Sequence, residues 1–218
     1  MVVAIDGPAG SGKSTIAALL AKRLGYFFLN SGLMYRSVTL KALNNKVPNE
    51  EQAIIAIARS TRWDIHDGVL FIDGEFPDSR LHSDKVDQYV SIVSAIPLLR
   101  EIINKRIKQI SLHNDLVVEG RDMTSIVFSD SKYRFYLDAS VASRAARRFK
   151  QGISDLDIKE LTASIQERDR ADKNKNTGSL QIANGVLVID TSLLTIEEVC
   201  AKVLESIQGQ DELPTRSI

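Results

Sequence analysis

Apolar residues recur along the chain in two patterns whose alternation predicts the architecture. Short apolar runs stand at 2–6 (VVAID), 26–29 (YFFL), 116–120 (LVVEG), 133–139 (YRFYLDA) and 186–192 (VLVIDTS). They read as buried strands. After the first run the period becomes helical: from Lys13 onward, Ile16, Leu19, Leu20 and Leu24 share one face, and Gly25 is placed to cap the end. Ser140 and Thr195 are placed as N-caps of later helices, with Glu198 completing a capping box. The strand–helix–strand unit at the start implies a parallel pair with a right-handed crossover. Five strands with helices between them predict an α/β fold, a five-stranded parallel sheet flanked by helices on both faces.

The stretch 32–115 interrupts the alternation. It holds helical patterns at 50–60 and 98–113 and a hairpin-like segment at 61–76, whose Asp67-Gly68 suits a type I′ turn. A helical plus β-hairpin subdomain inserted into a core of 1–31 and 116–210 is therefore expected. A polar segment, 150–160, joins two arginine-rich helices and reads as a mobile flap within a lid region of 148–170. The polar tail 211–218 is expected to fray.

Composition narrows the classes. The chain has 218 residues, 44% hydrophobic and 26% charged, enough for a core that carries a shaped site. Lys and Arg number 28, as do Asp and Glu, so no global field attracts nucleic acid or a membrane surface. No basic, aromatic-rich segment suits RNA. The single cysteine, Cys200, reads as a core residue and excludes an internal disulfide, which favours a reducing compartment. No basic segment followed by a long apolar stretch opens the chain, and no run approaches membrane-span length. A cytoplasmic protein is the expectation.

The chemistry begins in the turn after the first run. Gly7, Pro8, Ala9, Gly10, Ser11, Gly12, Lys13 and Ser14, followed by Thr15, fit G-x-x-x-x-G-K-[ST] between a strand and a helix. Glycines let backbone N–H groups turn inward around a polyphosphate, and the helix start adds its positive dipole. Lys13 would neutralise the β- and γ-phosphates, and the Ser14 hydroxyl would ligate Mg²⁺. A bare helix-capping turn needs no Lys-Ser pair, so a bound nucleoside triphosphate is predicted.

A switch GTPase would carry N-K-x-D, and the nearby matches at 104–107 and 174–177 lack the aspartate. A mechanical ATPase would end the adjacent strand in an acid, which Leu116-Val117-Val118-Glu119 matches loosely. The next residues depart from that pattern: Arg121 and Asp122 stand at the strand's C-terminal edge, where α/β folds bind ligands. Further arginines recur at Arg36, Arg100, Arg144, Arg147, Arg148, Arg168 and Arg170. Singly each is a solvated surface residue; together they suit a second phosphate, which a guanidinium fork grips bidentately. Two phosphate-bearing substrates imply phosphoryl transfer, which depends on positioning, charge stabilisation and exclusion of water.

The segments IDGPAGSGKST, LNSGLMYRSV, EGRDMTSIVF, ERDRAD and VLVIDTSLLTIEEV, in this order over nearly the whole chain, resemble the bacterial cytidylate kinases. The resemblance implies a phosphate-loop nucleoside monophosphate kinase fold whose insertion binds CMP. It also implies transfer of the γ-phosphoryl group of ATP to CMP or dCMP, with Mg²⁺, by a monomer. Carried onto matching positions, it places Ser31, Arg36 and Arg121 on the acceptor's phosphate and sugar. Ser91, Arg100 and Asp122 would read the cytosine edge, and Asp172 and Arg168 would lie near the ribose. Arg144, Arg148 and Arg168 would surround the migrating phosphoryl group with Lys13. A carboxylate facing the 4-amino group rejects uracil, which has a carbonyl there. Rivals are a kinase for another monophosphate such as UMP, and an ATP-dependent binding switch.

Five positions depart from the family pattern. Asn30 replaces aspartate, keeping capping ability without charge. Glu119 also replaces aspartate. Lys175 replaces arginine, followed by Ser179 for proline, keeping charge without the fork, so that Lys175 is a substrate-binding candidate with a looser grip. Thr124 replaces glycine and is expected to stiffen its turn.

Overall fold

The computed structural model describes residues 1–66, 69–152 and 156–211. The Asp67-Gly68 turn, residues 153–155 of the flap and tail residues 212–218 lie outside the described residues.

All five apolar runs form strands of one parallel sheet: β1 (Val2–Asp6), β2 (Phe27–Asn30), β5 (Leu116–Gly120), β6 (Tyr133–Asp138) and β7 (Leu187–Asp190). The sheet order is β2-β5-β1-β6-β7. β1 and β2 are thus parallel but not adjacent, which corrects the expected pair: β5 lies between them. Only the full set of strands decides this, since β5 is buried along its whole length and takes an interior place, between β2 and the central β1, that an amphipathic strand could not fill.

The period-2 alternation of β1 divides the core. Val3 and Ile5 pack with Val117, Phe135 and Leu137 under α1 (Lys13–Leu24) and α8 (Ile196–Asp211), whereas Ala4 faces the opposite cluster with Leu116 and Val118. Each fully buried Ile, Leu or Phe of these layers contributes ~2 kcal/mol. That second cluster takes in α2 (Ser31–Asn44), α3 (Glu51–Ser60), α4 (Asp84–Val93) and α5 (Pro97–Ser111). It also covers the antiparallel hairpin of β3 (Trp63–His66) and β4 (Val69–Ile72). Residues of the inserted stretch therefore pack directly on the sheet.

Local signals held where they were specific. Gly25 caps α1 at φ +70°, its N–H donating to Ala21 O. Ser140 caps α6 (Val141–Gln151), and Thr195 and Glu198 exchange the bonds of a capping box at α8. The helices α2 and α4 have no counterpart in the pattern. α2 buries Ser31, Met34, Tyr35, Ser37, Val38, Thr39 and Ala42, polar and apolar alike, so no hydrophobic stripe marks it. A remaining helix, α7 (Ile158–Lys173), opens with the Asp157–Glu160 capping box and packs against α6.

Candidate active site

The parallel strands deliver their C-terminal ends to one edge of the sheet. Asp6 of β1 is in register with Gly120 of β5, and Asn30 of β2 with Glu119. The loops beyond these strand ends open into one crevice, a cavity of about 870 Å³.

At the β1–α1 turn the glycines meet a geometric demand. A Cβ on Gly7, at φ +151°, would fall 2.1 Å from the Leu137 carbonyl oxygen. Gly12 holds φ +91° as the N-cap of α1. Lys13 then begins the helix buried, its Nζ donating to Pro8 O at 2.6 Å. Burial first, then Arg121 and Arg168, pull the Lys13 ammonium down to about 7, against the opposing pull of Glu119 and Asp6. A polyphosphate would restore its charge. The Ser14 hydroxyl donates to Glu119 Oε1 at 2.5 Å and accepts from Asn30 Nδ2 at 3.5 Å. Asn30 occupies the N-cap of α2 without a capping side-chain bond; its amide is turned toward Ser14 instead.

Ala9, Gly10, Ser11, Gly12, Lys13, Ser14 and Thr15 line the cavity. So do Ser31, Arg36, Ser91, Arg100, Arg121, Asp122, Asp172 and Lys175, together with Arg148 and Arg168. Gly7, Pro8 and Arg144 do not. Arg144 is buried behind the loop: its Nε and Nη1 donate to the carbonyls of Ala139 and Ala9 at 2.9 and 3.1 Å, and its fork grips Asp169 at 3.0 and 2.5 Å. Its guanidinium is committed to the protein.

The acceptor-side residues form linked ion pairs. Arg100 and Asp122 meet at 2.5 Å, 5% and 1% exposed. Arg100 also donates to Ser94 O at 2.8 Å and lies over the Tyr35 ring, 5.2 Å from its centre. Gly178, at φ +66°, leaves room for this guanidinium, for a Cβ there would stand 1.9 Å from Arg100 Cζ. Arg121 Nε donates to Asp172 Oδ2 at 2.9 Å, and Lys175 Nζ to Asp172 Oδ1 at 2.8 Å. Burial raises the Asp172 carboxyl, but Arg121, Lys175 and Arg168 outweigh it and hold the group well below the usual range. Lys175 also reaches Ser94 Oγ at 3.0 Å, so the lysine is seated despite lacking the fork.

Thr124 does fasten its turn. Its N and Oγ1 donate to the Asp6 carboxylate at 2.7 and 2.6 Å, and Met123 N does so at 2.9 Å. Asp6 is fully buried, and desolvation pushes it up to about 6 despite those bonds. The strand that carries the phosphate loop is thereby tied to the turn that carries Arg121 and Asp122.

A family model described as cytidylate kinase matches residues 3–209. The chain belongs to the cytidylate kinase family. A cytidylate kinase from Caldanaerobacter subterraneus is 39% identical over 210 residues, 94% of this chain and 94% of that one. A cytidylate kinase 1 from Borrelia garinii is 38% identical over 211 residues, 94% and 96%. Among solved structures, a gluconokinase from Sinorhizobium meliloti shares the fold at a TM-score of 0.54 and 12% identity, over 100% of this chain and 97% of that one.

Within this cytidylate kinase fold, sequence reasoning left several cleft residues out of the site. Glu119 was visible as the acid ending an apolar strand. Tyr35 stands in the YR pair, and its buried hydroxyl has no hydrogen-bond partner among the described residues. Arg147 lines the cavity while donating to Thr191 Oγ1 at 3.0 Å, and Thr191 in turn donates to Ser11 O at 3.0 Å. Its signal was the RRF pair.

Proposed function

We propose that the protein transfers the γ-phosphoryl group of ATP to CMP or dCMP, giving ADP and CDP or dCDP. One observation carries the reading: a desolvated Arg100–Asp122 pair lines the same cavity as the Lys13 loop, so a base-reading end and a polyphosphate-binding end share one space.

The loop backbone, Lys13 and the N-terminus of α1 hold the donor phosphates. Ser31, Arg36 and Arg121 take the acceptor phosphate, Asp172, Lys175 and Arg168 the sugar side. Ser91, Arg100 and Asp122 read the cytosine edge, Asp122 accepting from the exocyclic amine, and the Tyr35 hydroxyl is free to bond the ligand. An acceptor phosphate oxygen attacks the γ-phosphorus as the bond to the β–γ bridging oxygen breaks, and the electron pair leaves with ADP. The attacking oxygen is already ionised at neutral pH, so no general base is needed. Lys13, Arg121, Arg148 and Arg168 stabilise the charge on the migrating group. Arg144 acts by fixing the loop through Ala9 O rather than by contact.

Among the described residues no group of three His, Cys, Asp or Glu side chains is arranged to hold a metal ion by itself. Mg²⁺ needs only one or two protein oxygens beside phosphates, and the Ser14 hydroxyl with the Glu119 carboxylate fits that donor set. Held there, Mg²⁺ would supply positive charge to offset that of the phosphates. We place the activity in pyrimidine nucleotide supply in the cytoplasm, by a monomer acting on small molecules, without nucleic acid or membrane partners. No helix among the described residues is long and apolar enough to cross a membrane.

ADP release measured against CMP, dCMP, UMP, AMP and no acceptor tests this. CMP and dCMP are expected to exceed UMP and AMP by at least ~100-fold in kcat/KM. Equal use of UMP overturns the cytosine reading, and slow turnover that no acceptor accelerates favours a binding switch.

A further inference from the structure

Three of the cleft arginines come from three helices and converge on one carboxylate outside the cleft. Arg36 of α2 bonds Asp87 Oδ1, Arg148 of α6 bonds Oδ2, and Arg168 of α7 bonds Oδ1 at 3.1 Å. Asp87 belongs to α4 and does not line the cavity, whereas all three arginines do. A ligand in the cavity therefore meets guanidinium edges, with the carboxylate behind them.

Without a shared anion, three like charges this close repel and splay apart. Burial raises the Asp87 carboxyl, yet the three arginines bring it down to about 2, so it is ionised whenever the site works. The cluster is still short of anion. Three guanidiniums against one carboxylate leave two positive charges, the complement of a phosphate dianion, and the buried Nε of Arg168 has no partner among the described residues.

We infer that Asp87 is a positioning residue for the acceptor phosphate, a fixed carboxylate that holds Arg36 on that phosphate and keeps Arg148 and Arg168 beside it, where the migrating group arrives, so that the three form one nest matched to a phosphate dianion. It touches neither substrate and acts through the arginines. The inference rests on the arginine cluster being the phosphate site of the proposed kinase, and it adds a residue that the motifs do not contain.

The test compares Asp87→Asn and Asp87→Glu with the unaltered protein by calorimetric titration of CMP and of cytidine. The quantity read is the ratio of the cytidine to the CMP dissociation constant, the gain conferred by the phosphate. The ratio should fall about tenfold in Asp87→Asn, with cytidine affinity unchanged, and fall less in Asp87→Glu, which keeps the charge at a longer reach. Should the asparagine variant not fold, Asp87→Ser reads the same ratio. A ratio unchanged in every folded variant overturns the inference. So does a raised ratio, which would make the carboxylate a competitor of phosphate, and so does equal loss for CMP and cytidine, which would make it merely structural. If the unaltered protein binds UMP as well as CMP, the base reading fails, and uridine with UMP measures the Asp87 ratio instead.

Discussion

Replacing Asp122 by asparagine separates base reading from mere support. The carboxylate is 1% exposed and faces Arg100 at 2.5 Å. Asparagine keeps the shape but removes the charge and presents an NH₂ group to half of the ligand orientations. A hydrogen bond to a charged, desolvated acceptor contributes ~1.5–3 kcal/mol, or about 10–150-fold. For CMP, kcat/KM should fall about 100-fold, while UMP, whose carbonyl no longer meets a carboxylate, should lose nothing or gain. The preference for CMP over UMP then collapses to less than about tenfold. Among the described residues, the variant leaves Arg100 with Ser94 O and the Tyr35 face. One uncompensated buried charge costs ~3 kcal/mol, and at ~2–4 °C per kcal/mol for a chain of this size the melting temperature drops about 10 °C. Steady-state ADP release with CMP and UMP at 20 °C, well below that melt, reads both acceptors on folded enzyme. A preference left within about threefold of the unaltered value, or equal loss on both acceptors, would refute the role of Asp122 as a base reader.

Three further outcomes are expected. Arg36→Ala and Arg121→Ala should each lower kcat/KM at least ~100-fold, the scale of one lost transition-state donor, while circular dichroism stays native; near-normal rates in either break the assignment. Asp6 sits near 6 in the fold against 3.8 unfolded, so the folded chain retains a proton that the unfolded chain releases. Its raised pKa therefore costs stability as pH rises from about 4 to 6, by ~3 kcal/mol. Asp6→Asn does not titrate, so urea melts at pH 4, 5, 6 and 7 should show the stability difference between the two proteins moving by that amount in favour of the variant, and a pH-independent difference rules it out. Arg144→Ala should lose ~3 kcal/mol of stability from its bidentate buried pair and raise the KM for ATP about tenfold through a loosened loop. Its KM for CMP should stay within about twofold, whereas a larger rise for CMP than for ATP would place Arg144 at the acceptor.

Local features were legible in the residues because their causes are local. A glycine-rich turn followed by Lys13 and Ser14 announces a phosphate loop whatever surrounds it, since φ values such as +91° at Gly12 admit almost only glycine. Uniform apolar runs announced the five strands, and Ser140 and Thr195 the helix starts. Family motifs supplied Arg36, Arg121 and Asp122, all of which line the cleft. Of the two helices that escaped notice, α2 is buried on several sides and shows no stripe, whereas α4 carries a short stripe of Val86, Val90 and Val93 that was passed over between turn-forming residues. Arg144, expected at the migrating group, turns to Asp169 behind the loop, because an arginine's sequence position does not say which way its fork points.

The sequence by itself determined which segments become strands, where the triphosphate is held, and which family the chain resembles. Tertiary structure alone decided what lies beside what. Placing β5 between β1 and β2 sets Glu119 against Ser14, ties Asp6 to Thr124, and aligns the loops on one crevice. Convergence of α2, α4, α6 and α7 joins Asp87 to arginines 51, 61 and 81 residues away. The physical reason is range: propensity and turn chemistry act over a few residues, whereas charge pairing and desolvation depend on distances that only the folded chain creates.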